Sequence, residues 1–450
     1  MLPPGPRPLP LFKNVFDVPK AQEWLAFINM SRKYDSDVIS LDLMGDTVIV
    51  LNSVAAVDAL LEDRSAIYSD RVGFHWHIAF MRYGPRWKTH RKVLVQQFQP
   101  SQVLLHRPSE LAAARVLLQR LLDLPEKSNG TSDTRMVILS TAYGIDVQPE
   151  NDPHIDISEQ ALHAMACTGN RGAYLVDSLP FLKYVPEFLP GAGFKRQARE
   201  WFGVVSAMPD VAGTAKSSIA SRALEDIEGR PDAENEEEVL KNILGACYGA
   251  YFCTVSVLGT FTLAMTMYPE VQKKAQAAVD GALGQGRLPD FNDSIPYVDA
   301  VIREVLRWRP VLPLSVPHAV TEDDVYNGYH IPAGSVVVGN SWAILHDEVI
   351  YGPNTDKFIP ERWLTKEGEI NAHMREPGKD MAQWSVWICV ASILATFEIS
   401  KSMDKRGMPS EPTGEYIGAF MCEILPRSEA ARVMIETALP RTYSKDSSML

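Results

Sequence analysis

The chain has 450 residues, 46% of them hydrophobic and 22% charged, enough to bury a sizeable core, and its net charge is -12. Charges of both signs are spread without long runs, which excludes a disordered tail or a basic arm, and the acidic balance excludes nucleic acid as a partner, because neutralising phosphates takes clustered Lys and Arg. The five cysteines, Cys167, Cys247, Cys253, Cys389 and Cys422, form no CxxC pair and no zinc-like spacing, so a reducing compartment is the simplest reading.

The chain opens MLPPGPRPLP, with none of the apolar core that a signal peptide or membrane anchor needs. Residues 38–43 and 47–51 are apolar, β-branched runs around a Gly-Asp turn, which predicts a hairpin. Helical apolar spacing follows at 103–124, 198–223, 236–267, 269–283 and 297–308, with Pro269 placed to start a helix in its first turn. A second strand region is expected over 325–338, and residues 381–397 (MAQWSVWICVASILATF) read as another helix. The polar stretches 128–134 and 227–235 read as surface loops, so we expect one domain over 1–450, mainly α with small β-sheets (α+β), a small β part lying toward each end.

Residues 243–269 carry no charge, and about 20 apolar residues suffice to cross a bilayer. A helix apolar all round is either a membrane span or a buried core helix. Gly245, Gly249 and Gly259, several Ser and Thr, and charged amphipathic sequence on both sides favour a buried central helix over 243–268.

Three motifs carry chemistry only in combination. Glu304 and Arg307 lie three residues apart on an otherwise apolar helical face, in a helix segment extending over 297–310. Alone, such an i,i+3 pair is common surface decoration. Residues 358–363 (FIPERW) then supply Arg362. Trp87 and Arg91, taken singly, read as core packing and a solvated charge, and His318 after Pro317 as a turn residue.

Taken in order, ExxR followed by PERW, WxxxR at 87–91, PH at 317–318 with GYHIPAGS at 328–335, and the proline-rich start resemble the cytochrome P450 superfamily over nearly the whole chain. The wording is closest to fungal P450s of secondary metabolism. The resemblance implies the P450 fold, with residues 1–15 as the proline-rich hinge. Glu304, Arg307 and Arg362 would form a buried structural triad, and Trp87, Arg91 and His318 would reach the propionates of haem b. It also implies insertion of one oxygen atom into an apolar small molecule, in secondary metabolism or xenobiotic oxidation, with electrons from NADPH through NADPH–cytochrome P450 reductase. The family sits on the endoplasmic reticulum. Without an N-terminal anchor this chain is expected to be cytoplasmic or peripheral, the 243–269 span being the lesser membrane alternative.

The sequence departs from the pattern at three places. The family's haem-ligating cysteine, whose thiolate favours O–O cleavage, should precede the 381–397 helix, but residues 371–380 read NAHMREPGKD. In one register Glu376 stands at the ligand position; in the other the whole ligand loop is deleted, which we favour because the stretch is short by roughly a dozen residues. Cys389 lies about 20 Å further along a regular helix. In the central helix, Phe252 and Cys253 replace the family's acid and alcohol, leaving Thr254 as the nearest hydroxyl. The loop between Arg71 and Trp87 also looks shortened. The residues therefore support an alternative to the monooxygenase: an inactive P450-like protein, a splice variant or degenerate product without the axial cysteine.

Overall fold

The computed structural model describes residues 1–19, 21–71, 77–97, 100–123, 160–161, 164, 174, 176, 180–189, 192–211, 233–284, 286–376, 383–403, 408–412 and 422–438. Helix α1 (Glu23–Tyr34) buries Trp24 and Phe27 and stops where Asp35 turns left-handed. The hairpin follows. Strands β1 (Val38–Leu43) and β2 (Asp46–Leu51) pair antiparallel, Leu43 opposite Asp46. Its turn residues Met44 and Gly45 have φ of 58° and 114°, the mirror-image turn whose twist suits two right-twisted strands. That turn brings Asp46 into the ladder, one residue earlier than expected. The proline-rich start lies along β1: Ser40 N donates to Pro4 O at 3.0 Å and the Ser40 hydroxyl to Pro3 O. A Cβ on Gly5 would stand 2.0 Å from the Ser40 carbonyl, so only glycine lets the two backbones approach this closely.

Short strand β3 (Asp70–Arg71) precedes the helices α2 (Pro85–Gln97), α3 (Pro100–Asp123), α4 (Gly193–Val211), α5 (Ala233–Met267), α6 (Pro269–Leu283) and α7 (Pro296–Trp308). Helices α6 and α7 carry proline in their first turn, where the missing N–H has no partner to lose. Of the helix expected over 198–223, residues 212–223 lie outside the described residues, as do the polar stretch 128–134 and residues 227–232. Strands β4 (His318–Ala319), β5 (Asp324–Tyr326), β6 (Tyr329–Ile331) and β7 (Val336–Gly339) follow, then α8 (Gln383–Thr396), β8 (Phe397–Lys401), β9 (Cys422–Pro426) and α9 (Glu429–Thr437). The helix expected over 381–397 is thus shorter at its end, because Phe397 opens β8 and pairs with Pro426.

The small β parts expected toward each end of the chain meet in one sheet. One sheet in the order β1-β2-β7-β4-β3 joins the front hairpin to strands almost 300 residues later in the sequence, with β2 parallel to β7 and Val48 opposite Val336. The physical reason is burial on both faces: Val48 to Leu51 and all of β7 are buried, which a hairpin open to water on one side cannot provide.

The main core gathers side chains from α3, α5, α6, α7, α8 and β8, including Leu117, Phe261, Val301, Ile388 and Phe397. Helix α8 is buried almost all round, from Val386 to Ala395. Helix α5 crosses the same core with Leu258, Phe261, Ala264 and Met265 buried. Among the described residues no helix is long and apolar enough to cross a membrane. Two buried glutamines of α6 reach β8: Gln272 exchanges a pair of 2.8 Å bonds with Ile399 N and O, and Gln276 Nε2 donates to Phe397 O at 3.1 Å.

Candidate functional site

The most ordered polar cluster lies where α7 meets the PERW turn, Pro360–Trp363. Helix α7 presents an apolar face of Val298, Val301, Ile302 and Val305 to the core, and that packing carries Glu304 and Arg307 to zero exposure. The Arg307 guanidinium meets the Glu304 carboxylate with two parallel bonds, Nε to Oε2 at 2.8 Å and Nη2 to Oε1 at 2.9 Å. Arg362 Nε adds a bond to Oε1 at 3.1 Å, Ile359 N one at 2.9 Å, and the Trp363 indole donates to Oε2 at 2.9 Å. The two guanidiniums spend further donors on carbonyls: Arg307 on Leu345 and Lys357, Arg362 on Tyr351 and Asn354. A buried ion group is tolerable only when its charges are paired and its polar atoms answered, and here every guanidinium nitrogen has a partner.

Sequence reasoning named Glu304, Arg307 and Arg362 and missed the rest. The Trp363 indole was visible in PERW but carried no period or pairing signal. The Ile359 amide and the receiving carbonyls are backbone groups that no residue type announces. His346 also went unread: its ring stacks on Trp342 at 4.2 Å, and burial together with the Arg307 and Arg362 charges lowers its pKa to about 4.

The other expected site residues are less gathered. Trp87 is half-buried on α2, its ring 5.3 Å from that of Tyr83, and Arg91 is exposed on the same helix. The neighbour between them is the buried one. His90 Nδ1 donates to Arg86 O at 2.9 Å, leaving Nε2 to accept from Asn242 Nδ2 at 3.2 Å, so this pair ties α2 to α5. His318 lies on β4 opposite Arg71, and its Nδ1 donates to Tyr68 O at 2.7 Å. Burial, then the Arg71 guanidinium, lowers its pKa to about 4 and keeps it neutral. Among the described residues no hydrogen bond, ion pair or ring contact joins Trp87, Arg91 and His318 to one another. On α5, Thr254 is buried and Cys253 half-buried, while the Phe252 side chain lies outside the described residues.

Residues 371–376 lead from the PERW turn toward α8, and their last two side chains are both held. Arg375 grips both carboxylate oxygens of Asp58 at 2.8 and 2.7 Å, and its carbonyl accepts the Tyr351 hydroxyl at 3.2 Å. Glu376 pairs with Arg303 of α7 at 2.8 Å.

A family model described as cytochrome P450 matches residues 3–423. A cytochrome P450 monooxygenase numbered 98 from Postia placenta is 38% identical over 96% of this chain and 92% of its own length. A cytochrome P450 monooxygenase of Hericium erinaceus is 40% identical, covering 97% and 91%. A tryptamine 4-monooxygenase of Psilocybe cyanescens is 34% identical, covering 95% and 93%. These alignments run over 480, 485 and 475 positions, more than the 450 residues present here, so each relative has internal residues without a counterpart in this chain.

That family implies haem, held by a cysteine thiolate, and the donors present can be tested for it. Cys389 is buried in the main core, where loss of water pushes its thiol up to about 12. The same cause pushes Cys422 up to about 11, so both stay protonated near neutral pH. Cys253 stands on α5, far in sequence from the segment that precedes α8. Glu376 is engaged by Arg303, and among the described residues no group of three His, Cys, Asp or Glu side chains converges to hold a metal. The described donors do not fit a thiolate-held haem.

Proposed function

We propose that this chain, which belongs to the cytochrome P450 family, has the scaffold of a fungal monooxygenase that oxidises an apolar small molecule in secondary metabolism or xenobiotic oxidation. The observation that carries this reading is the Glu304 cluster, in which ExxR and PERW meet at hydrogen-bond distance in a fully buried site. In this reading the cluster braces α7, while Trp87, Arg91 and His318 would be the residues that hold the propionates of haem b. Thr254 would be the nearest hydroxyl to the positions where Phe252 and Cys253 replace the family's acid and alcohol. NADPH would supply electrons through NADPH–cytochrome P450 reductase, at the endoplasmic reticulum surface. The substrate class rests on family membership, because fold alone does not select a ligand. The test is oxygen incorporation: purified protein in which a cysteine-bearing loop has been restored before α8 is offered a panel of apolar terpenoids and indoles with reductase and NADPH, and a product heavier by one oxygen atom, absent without NADPH, is the expected result.

A second reading is favoured by one observation, the lack of any cysteine between Trp363 and Trp384. In it the chain is a P450-like protein without turnover, either retaining an apolar ligand or existing as a splice variant or degenerate product. Its signature is a rise in melting temperature with members of the same panel and no oxidised product.

A further inference from the structure

The segment before α8 allows two readings of what happened to the ligand: Glu376 could have replaced the cysteine, or Glu376 could belong to the chain upstream of a loop that is gone. The contacts of Arg375 and Glu376 separate them. Arg375 is fastened to Asp58, in the short helical stretch Asp58–Glu62, with Glu62 itself 3.5 Å away. The next residue turns to α7, where Arg303 holds Glu376 at 2.8 Å, and the Arg303 side chain is only 18% exposed. Arg303 immediately precedes Glu304, so successive residues of one helix bind the braced cluster and the incoming segment. The far side is fixed as well: the Ser385 hydroxyl of α8 donates to Glu110 at 2.9 Å, and the Arg107 guanidinium lies 4.9 Å from the centre of the Trp384 ring. Only seven residues, 377–383, connect these anchored ends, and none is a cysteine. The relatives' alignments independently require internal residues that this chain lacks.

We propose that Glu376 is the last residue upstream of a deleted ligand loop rather than a substitute ligand, and that the deletion between Glu376 and Gln383 removes thiolate ligation from the scaffold. This rests on the P450 reading above and deepens it by placing the loss of the ligand in one segment. In this arrangement the Glu376 carboxylate is directed to α7 by Arg303. That helix is pinned one residue later by the Glu304 cluster.

The experiment uses the full chain expressed with a haem supply, in three forms: unchanged, Glu376→Cys, and with the cysteine-bearing segment of the Postia placenta relative inserted after Glu376. Haem per protein and the carbon monoxide spectrum of the reduced protein are read for each, and cooperative thermal unfolding confirms that each is folded. The unchanged chain and Glu376→Cys are expected to show no thiolate-type Soret band, and the loop-restored chain to gain one together with stoichiometric haem. A thiolate-type band in the unchanged chain overturns the proposal, as does its appearance in Glu376→Cys, which would make position 376 the ligand site. A folded loop-restored chain without haem would show that the departure is wider than one segment, and would count against the scaffold reading too. If that variant does not fold, the other two spectra still decide between replacement and deletion.

Discussion

Two regions of this molecule are built from the same pair of residue types and behave differently. Around Glu304, glutamate and arginine are fully buried, bidentate and answered by an indole and a backbone amide. Around Glu376, the same chemistry is half-exposed: the Arg375–Asp58 pair keeps 36% and 37% side-chain exposure and Glu376 keeps 34%. The first arrangement cannot lose a member without stranding a charge in the core, whereas the second can be rearranged while water takes over its partners. A segment held in the second way tolerates insertion or loss beside it, and a cluster held in the first way resists both.

The largest effect that would sharpen this contrast is expected from Glu304→Ala, which leaves two guanidiniums buried without a carboxylate. Breaking a buried group in this way costs about 3–5 kcal/mol, and the denaturant midpoint should fall accordingly. A loss below about 1 kcal/mol, the range of an exposed pair, would place the cluster in the same class as the Glu376 segment.

An intermediate effect is expected from pH. Burial, then the Arg307 and Arg362 charges, lowers His346 to about 4, and burial with Arg71 does the same to His318. A depressed imidazole contributes stability that is complete above its ordinary pKa of about 6.5 and is lost as pH falls toward the folded value, because the unfolded chain then binds protons that the native one refuses. Between about pH 7 and about pH 5 the urea midpoint should drop, by the equivalent of roughly 2 kcal/mol for each ring. His346→Asn should flatten that slope. An unchanged slope would mean that the ring beside the cluster is as well hydrated as an exposed one.

The smallest effect is expected from Arg303→Ala or Arg375→Ala. Each removes a partly exposed pair, and the melting midpoint should shift by the equivalent of about 0.2–1 kcal/mol. A cost of several kcal/mol from either would show that the segment before α8 is as deeply built in as the Glu304 cluster, and would remove the basis of the comparison.

Much of the helical plan was legible because α6 and α7 combine a proline start with a 3.6-residue apolar period, and α7 carries Glu304 and Arg307 on the face that packing buries. The sheet was not. Val48 and Val336 pair in parallel across almost the whole chain, and nothing local in GYHIPAGSVVV specifies a partner that far away. At the site, Glu304 and Arg307 stood out as charges on an apolar helical face, and Arg362 joined them only through the resemblance carried by ExxR and PERW. Ile359 N and the carbonyls of Leu345 and Tyr351 were invisible, since every residue has them. Trp87 and Arg91 were selected by motif, yet the side chain that fixes their helix to α5 is His90, whose fit with Asn242 depends on how two helices cross and not on spacing within either.

The pair of glutamines on α6 has a consequence for life in a crowded solution. By presenting one donor and one acceptor to Ile399, Gln272 imitates the hydrogen-bonding edge of a neighbouring strand, and Gln276 covers the carbonyl of Phe397 beside it. The margin of β8 away from β9 is therefore answered from within the chain at Phe397 and Ile399, which leaves a foreign strand arriving there less open backbone to copy.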